Sequence, residues 1–189
     1  MHLNTIVTIG EGDYIVDTSH GPSGSPYPVP LVHDEPAVDM WPRQRRMIHD
    51  SLPGWSNPRQ KWWRLQIRTS DADPWMDVWC FTETEWLPID IQLLRLGYTG
   101  LGGGWVAPHV CCFQTTFEDQ VPVGYMLILK DELRRHYKGK TEVVQKFYCE
   151  KDRVEAIAQH FGIELTEEEQ KQIEGHESQI EGDDFDYYG

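Results

Sequence analysis

Apolar and polar positions divide the chain into short strand-like runs followed by two helical ones. Residues 3–9 are rich in apolar side chains, Gly10-Glu11-Gly12 supplies glycines that tolerate positive φ, and Tyr14-Ile15-Val16-Asp17 returns, a pattern that predicts a hairpin. Gly21-Pro22-Ser23-Gly24-Ser25-Pro26-Tyr27-Pro28-Val29-Pro30 reads as a loop, extended at its prolines. After an irregular stretch at 50–58 come strand-like runs at 61–68 and 77–81. Trp86, Leu87, Ile89, Ile91, Leu93 and Leu94 predict a short helix within 84–95, with Pro88 near its first turn, and residues 97–104 read as a glycine-rich link. Strands around 109–117, 124–129 and 140–148 predict an antiparallel meander. Val154, Ile157, Ala158 and Phe161 recur at helical spacing before Gly162, and Thr166 with Glu169 has the spacing of a capping box opening a helix to about residue 175.

Length and composition narrow the class. At 189 residues, with 39% hydrophobic positions and eight tryptophans, the chain can bury a substantial core. Its 31 acidic against 17 basic residues give a formal charge of −14, which excludes a protein that coats nucleic acid and disfavours anionic membranes. No apolar run reaches the roughly 20 residues of a membrane helix, so no membrane partner and a cytoplasmic location are expected. Thirteen acidic and three basic residues lie in 150–189, so ten of the fourteen net negative charges belong to that end and none marks a site in the body.

Cys80, Cys111, Cys112 and Cys149 are irregularly spaced, with no Cys-x-x-Cys, and adjacent cysteines on a strand face opposite sides. They read as reduced structural thiols, and no metal is expected. His2 and Asp17 bracket the opening hairpin, and a His held by a carboxylate is the base and orienter of a catalytic triad. Their reach is a difficulty. A minimal turn centred on Glu11 sets Asp17 opposite Thr5 and leaves His2 about 10 Å further along, so contact requires a bulge, strong twist or another register.

His2-Leu3-Asn4-Thr5-Ile6-Val7-Thr8-Ile9, the glycine turn and Tyr14-Ile15-Val16-Asp17 resemble the segment of arylamine N-acetyltransferases that carries the His and Asp of their Cys-His-Asp triad, with the same separation of fifteen residues. Pro28-Val29-Pro30-Leu31, the run at 44–50 followed by Pro53-Gly54, the strand at 62–68, Cys80-Phe81-Thr82-Glu83 and Leu87-Pro88 before Asp90 are similar to fungal members in particular. So is Lys140-Thr141-Glu142-Val143 leading into two helices, and the resemblance extends to about Ile180.

The resemblance implies an α+β chain: an antiparallel β-barrel over 1–100 carrying His2 and Asp17, an α/β lid over 101–180 and an acidic disordered tail over 181–189. This is a cysteine-proteinase-like acetyltransferase fold without its N-terminal helical bundle. The family's nucleophile lies upstream of the His in Arg-Gly-Gly-x-Cys. Here only Met1 precedes His2 and no Cys follows Gly-Gly, so the chain is expected to represent a truncated gene model or a lineage without the first domain. The implied activity is acetyl transfer from acetyl-coenzyme A to a small aromatic amine or hydroxylamine. The alternative is a catalytically inactive pseudoenzyme or fragment that binds a ligand or a partner, self-associates, or is complemented by a Cys-bearing domain. By the same resemblance His20 stands where the family has an active-site Phe lining the acceptor pocket, Gly21, Ser23 and Gly24 lie in the loop beside the coenzyme, and Thr99 is the nearest hydroxyl of a later coenzyme loop. Trp62, Trp63, Trp79, Trp86 and Trp105 read as either an aromatic-stacking site or barrel core, and Arg43, Arg45 and Arg46 as either phosphate contacts or an ion-paired patch.

Overall fold

A computed structural model describes residues 2–17, 20–100 and 109–182 of the chain. Its first compact unit comprises residues 1–85 and 117–124, and its second residues 86–116 and 125–189. In the first, β1 (Thr5–Ile9), β2 (Gly12–Val16) and β3 (Val29–Pro30) form one sheet in that order. A second sheet has the order β4 (Ala37–Val38), β5 (Gln44–Asp50), β6 (Trp62–Arg68) and β7 (Met76–Phe81). Every pairing in these two sheets is antiparallel. The class is α+β, as expected, but among the described residues the strands form separate sheets in place of one closed barrel. The two-residue strands β3 and β4 flank residues 31–36, where the ladder is reduced to a single parallel bridge between His33 and Met47.

The core of this unit joins both sheets. Ile15 and Val29 from the first meet Met47, Trp63, Leu65, Trp79 and Phe81 from the second. Trp62 and Trp63 point to opposite faces of β6 and are both buried: Trp63 enters this core, and Trp62 meets the Trp55 ring edge-on at 5.4 Å. Trp79 and Phe81 alternate inward along β7, which leaves Cys80 on the other face.

The second unit starts with α1 (Pro88–Gly100), which continues through Gly97 where a link is expected from sequence. Pro88 occupies its first position, where a missing N–H costs no helical hydrogen bond. The sheet that follows has the order β11-β10-β9-β8, from β8 (Cys111–Glu118), β9 (Val121–Leu129), β10 (Glu132–Tyr137) and β11 (Lys140–Lys146); the turn end of the β8–β9 hairpin belongs to the first unit. Strand β10 is an addition to the expected meander. Its sequence, ELRRHY, is mostly charged and buries only Leu133, so it carries little apolar signal.

Helix α2 (Glu150–Phe161) packs Ala156 and Ile157 against Ile128, Leu133 and Phe147 and stops at Gly162, whose φ of 68° is left-handed and whose N–H donates to the Ala158 carbonyl. Arg153, 1% exposed, fastens this helix: it pairs with Glu150 and donates to the carbonyls of Lys130 at 3.2 Å and Ser178 at 3.1 Å. The short α3 (Glu167–Lys171) has the full capping box of Thr166 and Glu169, and ends before the expected residue 175. Residues 183–189, most of the acidic tail, lie outside the described residues, as does Trp105. No helix among the described residues is long and apolar enough to cross a membrane.

Candidate active site

The opening hairpin turns in two residues, Gly10 and Glu11, and pairs Thr5 with Val16 and Ile9 with Gly12. Gly10 alone of the two has positive φ, 64°, as a II′-type loop requires of its first residue. This register is one residue tighter than a turn centred on Glu11, and it carries Asp17 past Thr5 toward the chain start. Residues 2–4 then leave the hairpin ladder. The His2 N–H donates to the Cys80 carbonyl at 2.9 Å, which docks the chain start on the end of β7. Together the tighter register and this departure remove the 10 Å gap: His2 Nε2 lies 2.7 Å from Asp17 Oδ2.

The pair is well enclosed, with side-chain exposures of 19% for His2 and 8% for Asp17. A carboxylate only accepts, so the His2 Nε2–H donates to Asp17 and the lone pair sits on Nδ1. Trp79 forms one wall, its ring centroid 5.4 Å from that of His2. His20 meets His2 edge-on at 4.9 Å and lies 6.4 Å from Trp79. Burial lowers the proton affinity of His20 below the ordinary histidine value, and the neighbouring His2 adds to that, against the opposing pull of Asp17.

The expected coenzyme loop follows directly. Gly21–Ser23 is a single 3-10 turn, with Gly21 at φ 55° and the Gly24 N–H donating to the Gly21 carbonyl at 3.0 Å. Gly24 is closely packed: a Cβ there would lie 3.3 Å from both the Gly21 oxygen and the His20 Cβ. Arg43 pins the loop, donating to the Pro22 carbonyl at 2.6 Å and the Gly24 carbonyl at 3.0 Å while pairing with buried Asp39. Arg45 also lies beside Asp39, at 3.7 Å, and Arg46 pairs with Asp34 at 2.7 Å, so these arginines form an ion-paired network. Thr99 falls in the last turn of α1, and its side chain lies outside the described residues.

Two residues named from sequence have a particular role that the sequence does not show. Trp79, readable as core or as part of a stacking site, lies in the core and also walls the His2 ring, and Arg43 acts as a loop tether. Only the β7 register and the course of residues 20–24 reveal these roles, and neither leaves a local sequence signal. His2, Asp17 and His20 also place one potential metal-ligand atom each within 4.8 Å of one another, a cluster that sequence spacing does not suggest. The thiols differ. All four cysteines are free, burial raises the proton affinity of Cys111 and Cys112 away from the thiolate form, and Cys80 faces away from the side of β7 on which Trp79 meets His2.

The fold is similar to that of solved arylamine N-acetyltransferases. The chain superimposes on the enzyme from Mycobacterium abscessus with a TM-score of 0.66 at 17% identity, covering 88% of this chain and 55% of that one. The enzyme from Salmonella typhimurium gives 0.64 at 16% identity, covering 89% and 58%. The Mycobacterium marinum enzyme, solved in complex with CoA, gives 0.63 at 16% identity, covering 85% and 53%. In sequence, the chain is 26% identical over 181 residues to the N-malonyltransferase FDB2 of Gibberella moniliformis and 27% identical over 180 to that of Fusarium pseudograminearum. These alignments take in 91% and 89% of this chain, and the chain spans about half the length (52%) of the curated relatives it matches. No protein-family model matches the chain.

Proposed function

We propose that the chain provides the base and its orienting carboxylate for acyl transfer from an acyl-coenzyme A to the nitrogen of a small aromatic amine or hydroxylamine. The observation that carries this reading is the enclosed hydrogen bond between His2 Nε2 and Asp17 Oδ2 at 2.7 Å, in a fold shared with arylamine N-acetyltransferases. Asp17 fixes the ring and stabilises its charge. Nδ1 of His2 is then the nitrogen that takes a proton from the attacking group.

In a relay through cysteine, that group is the thiol of a complementing Cys-bearing domain: sulfur attacks the thioester carbonyl, the bond to the coenzyme sulfur breaks, and the imidazolium returns the proton to the departing thiolate; the amine nitrogen then attacks the new acyl–sulfur carbonyl, and its proton passes through His2 to the cysteine sulfur as that carbon–sulfur bond breaks. In direct transfer the amine itself attacks the thioester carbonyl and loses its proton to His2, the carbon–sulfur bond breaks, and the imidazolium gives that proton to the departing coenzyme thiolate. General-base help of this kind is worth about 10²–10⁴-fold. Acetyl-coenzyme A is the donor the family resemblance implies, and the name N-malonyltransferase carried by the FDB2 relatives makes malonyl a second acyl group to test. Gly21, Ser23 and Gly24 border the coenzyme in this reading, with Thr99 as a further contact and His20 at the acceptor pocket. The four free thiols fit a cytoplasmic setting.

The test is turnover of acetyl- and malonyl-coenzyme A with aniline by the full chain, with His2→Ala and Asp17→Asn as controls. A loss of about 10²-fold or more in His2→Ala supports the assignment, whereas turnover indifferent to both substitutions overturns it. A second reading, a noncatalytic module that binds coenzyme A or a partner, is favoured by the place of Cys80, on the face of β7 opposite the one on which Trp79 meets His2. Exposed Leu3, Ile6, Ile9 and Val16 on and beside the opening hairpin support self-association or complementation by a Cys-bearing domain. Coenzyme A binding by calorimetry without turnover selects this reading.

A further inference from the structure

Beyond acyl transfer, we infer that His2, Asp17 and His20 form a binding site for a divalent transition-metal ion of the zinc class. Two imidazoles and one carboxylate are the ligand set that borderline metals take in three-ligand sites, with the remaining coordination position left to water or a small ligand. The donor atoms already lie within 4.8 Å of one another, and His2 and Asp17 are at 2.7 Å. Zinc bonds of about 2.0–2.1 Å place tetrahedral ligand atoms about 3.3 Å apart. Closing the widest separation therefore requires about 1.5 Å of side-chain movement, and His2 and Asp17 must open by about 0.6 Å. Both are within reach of side-chain rotations, with no change of strand register.

The surroundings fit a metal site. Trp79 supplies an apolar wall to both imidazoles, and such a wall limits solvent access and strengthens coordination. The Arg43 clamp on the Pro22 and Gly24 carbonyls holds the segment just beyond His20, so the third ligand is carried on a fixed turn.

In this state the metal takes the place of the proton between His2 and Asp17. A chain loaded with metal cannot use that His–Asp pair as a base, so metal and acyl transfer exclude each other at the same residues. The inference does not depend on the acyl-transfer reading, because its test contains no turnover.

The experiment is titration of the full chain with Zn2+ by calorimetry, paired with long-range 1H–15N spectra of the histidine rings. One ion per chain is expected, with the ring nitrogens of both His2 and His20 shifting in the wild-type protein. His20→Gln and Asp17→Asn are expected to weaken binding by at least the ~10-fold that even an outer-sphere partner is worth. His176→Ala, at an exposed histidine of the other unit, is expected to bind as the wild type does. Unmoved His2 and His20 rings at saturating Zn2+, or wild-type affinity in His20→Gln, overturn the inference. The ring spectra use unsubstituted protein, so a variant that fails to fold does not remove the test.

Discussion

Arg43 joins the stability of the first unit to the shape of the site, and its removal is the most informative single perturbation. Its guanidinium pairs with Asp39, whose side chain is 1% exposed, and donates to two carbonyls of the turn that follows His20. Arg43→Ala leaves that carboxylate buried with Arg45 as its remaining cation, at 3.7 Å, a separation too long for a good hydrogen bond. Removing one partner of a buried pair costs about 3–5 kcal/mol. Since the Arg43 side chain is 16% exposed and Arg45 remains, the loss falls at the lower end, about 3 kcal/mol. For a chain of this size that corresponds to a fall in Tm of about 6–12 °C. Six of the eight tryptophans lie in the first unit, so urea unfolding followed by tryptophan fluorescence reports mainly on it. A double-mutant cycle sharpens the reasoning: Asp39→Asn with Arg43→Ala is expected to lose at least ~1 kcal/mol less than the two separate losses together, because the orphaned charge is gone. A single-variant loss below about 1 kcal/mol, or strict additivity in the cycle, refutes the picture of a buried pair that clamps the turn.

Other expectations follow from the same contacts. Arg153→Ala removes the cation of the Glu150 pair and orphans the Lys130 and Ser178 carbonyls, for a loss of about 3–5 kcal/mol; Arg153→Lys, keeping charge without the fork, should fall between the two in denaturant midpoint. His20 binds a proton less readily folded than unfolded, since burial and then His2 oppose its charge. Its share of stability is therefore full above the ordinary histidine value of about 6.5 and declines as pH falls from there toward its lower folded value. Urea midpoints at pH 7.5 and 5.5 should show a smaller drop in His20→Gln than in the wild type. Thr166→Ala breaks the capping box of α3 and should cost about 1 kcal/mol, seen as earlier amide exchange at 167–171.

Legibility followed the strength of the local signal. The hairpin, the strands at β6 and β7, the start of α3 and the stop of α2 at Gly162 all carry turn residues, alternation or caps that act over a few positions. Strand β10 does not, because its place is set by pairing with β11 across a bulge between Leu133 and Arg134, and its charged side chains pair locally. Helix α1 runs past its expected end for the opposite reason. Gly97 reads as punctuation, yet a glycine within a helix costs only about 1 kcal/mol and does not forbid it. The arginines at 43, 45 and 46 left two readings open, and only the burial of Asp39 chose between them.

The candidate site shows most clearly what a sequence leaves undecided. The separation of His2 and Asp17 was visible, but contact between them depends on the turn, and in a hairpin a change of one residue in register moves every facing pair. Had the loop centred on Glu11, Asp17 would face Thr5 and the imidazole would stand too far along to reach it. Gly10 at φ 64° closes the turn in two residues, and the His2 N–H bond to the Cys80 carbonyl then holds the chain start against β7. The first of these is a local preference of glycine. The second is long-range, since it joins residues 2 and 80, and nothing near His2 in sequence encodes it. The same is true of His20, whose approach to His2 depends on a turn pinned by Arg43 from twenty residues away. Chemistry-bearing residue types can thus be nominated from sequence, while their convergence is a property of the two sheets that share one core.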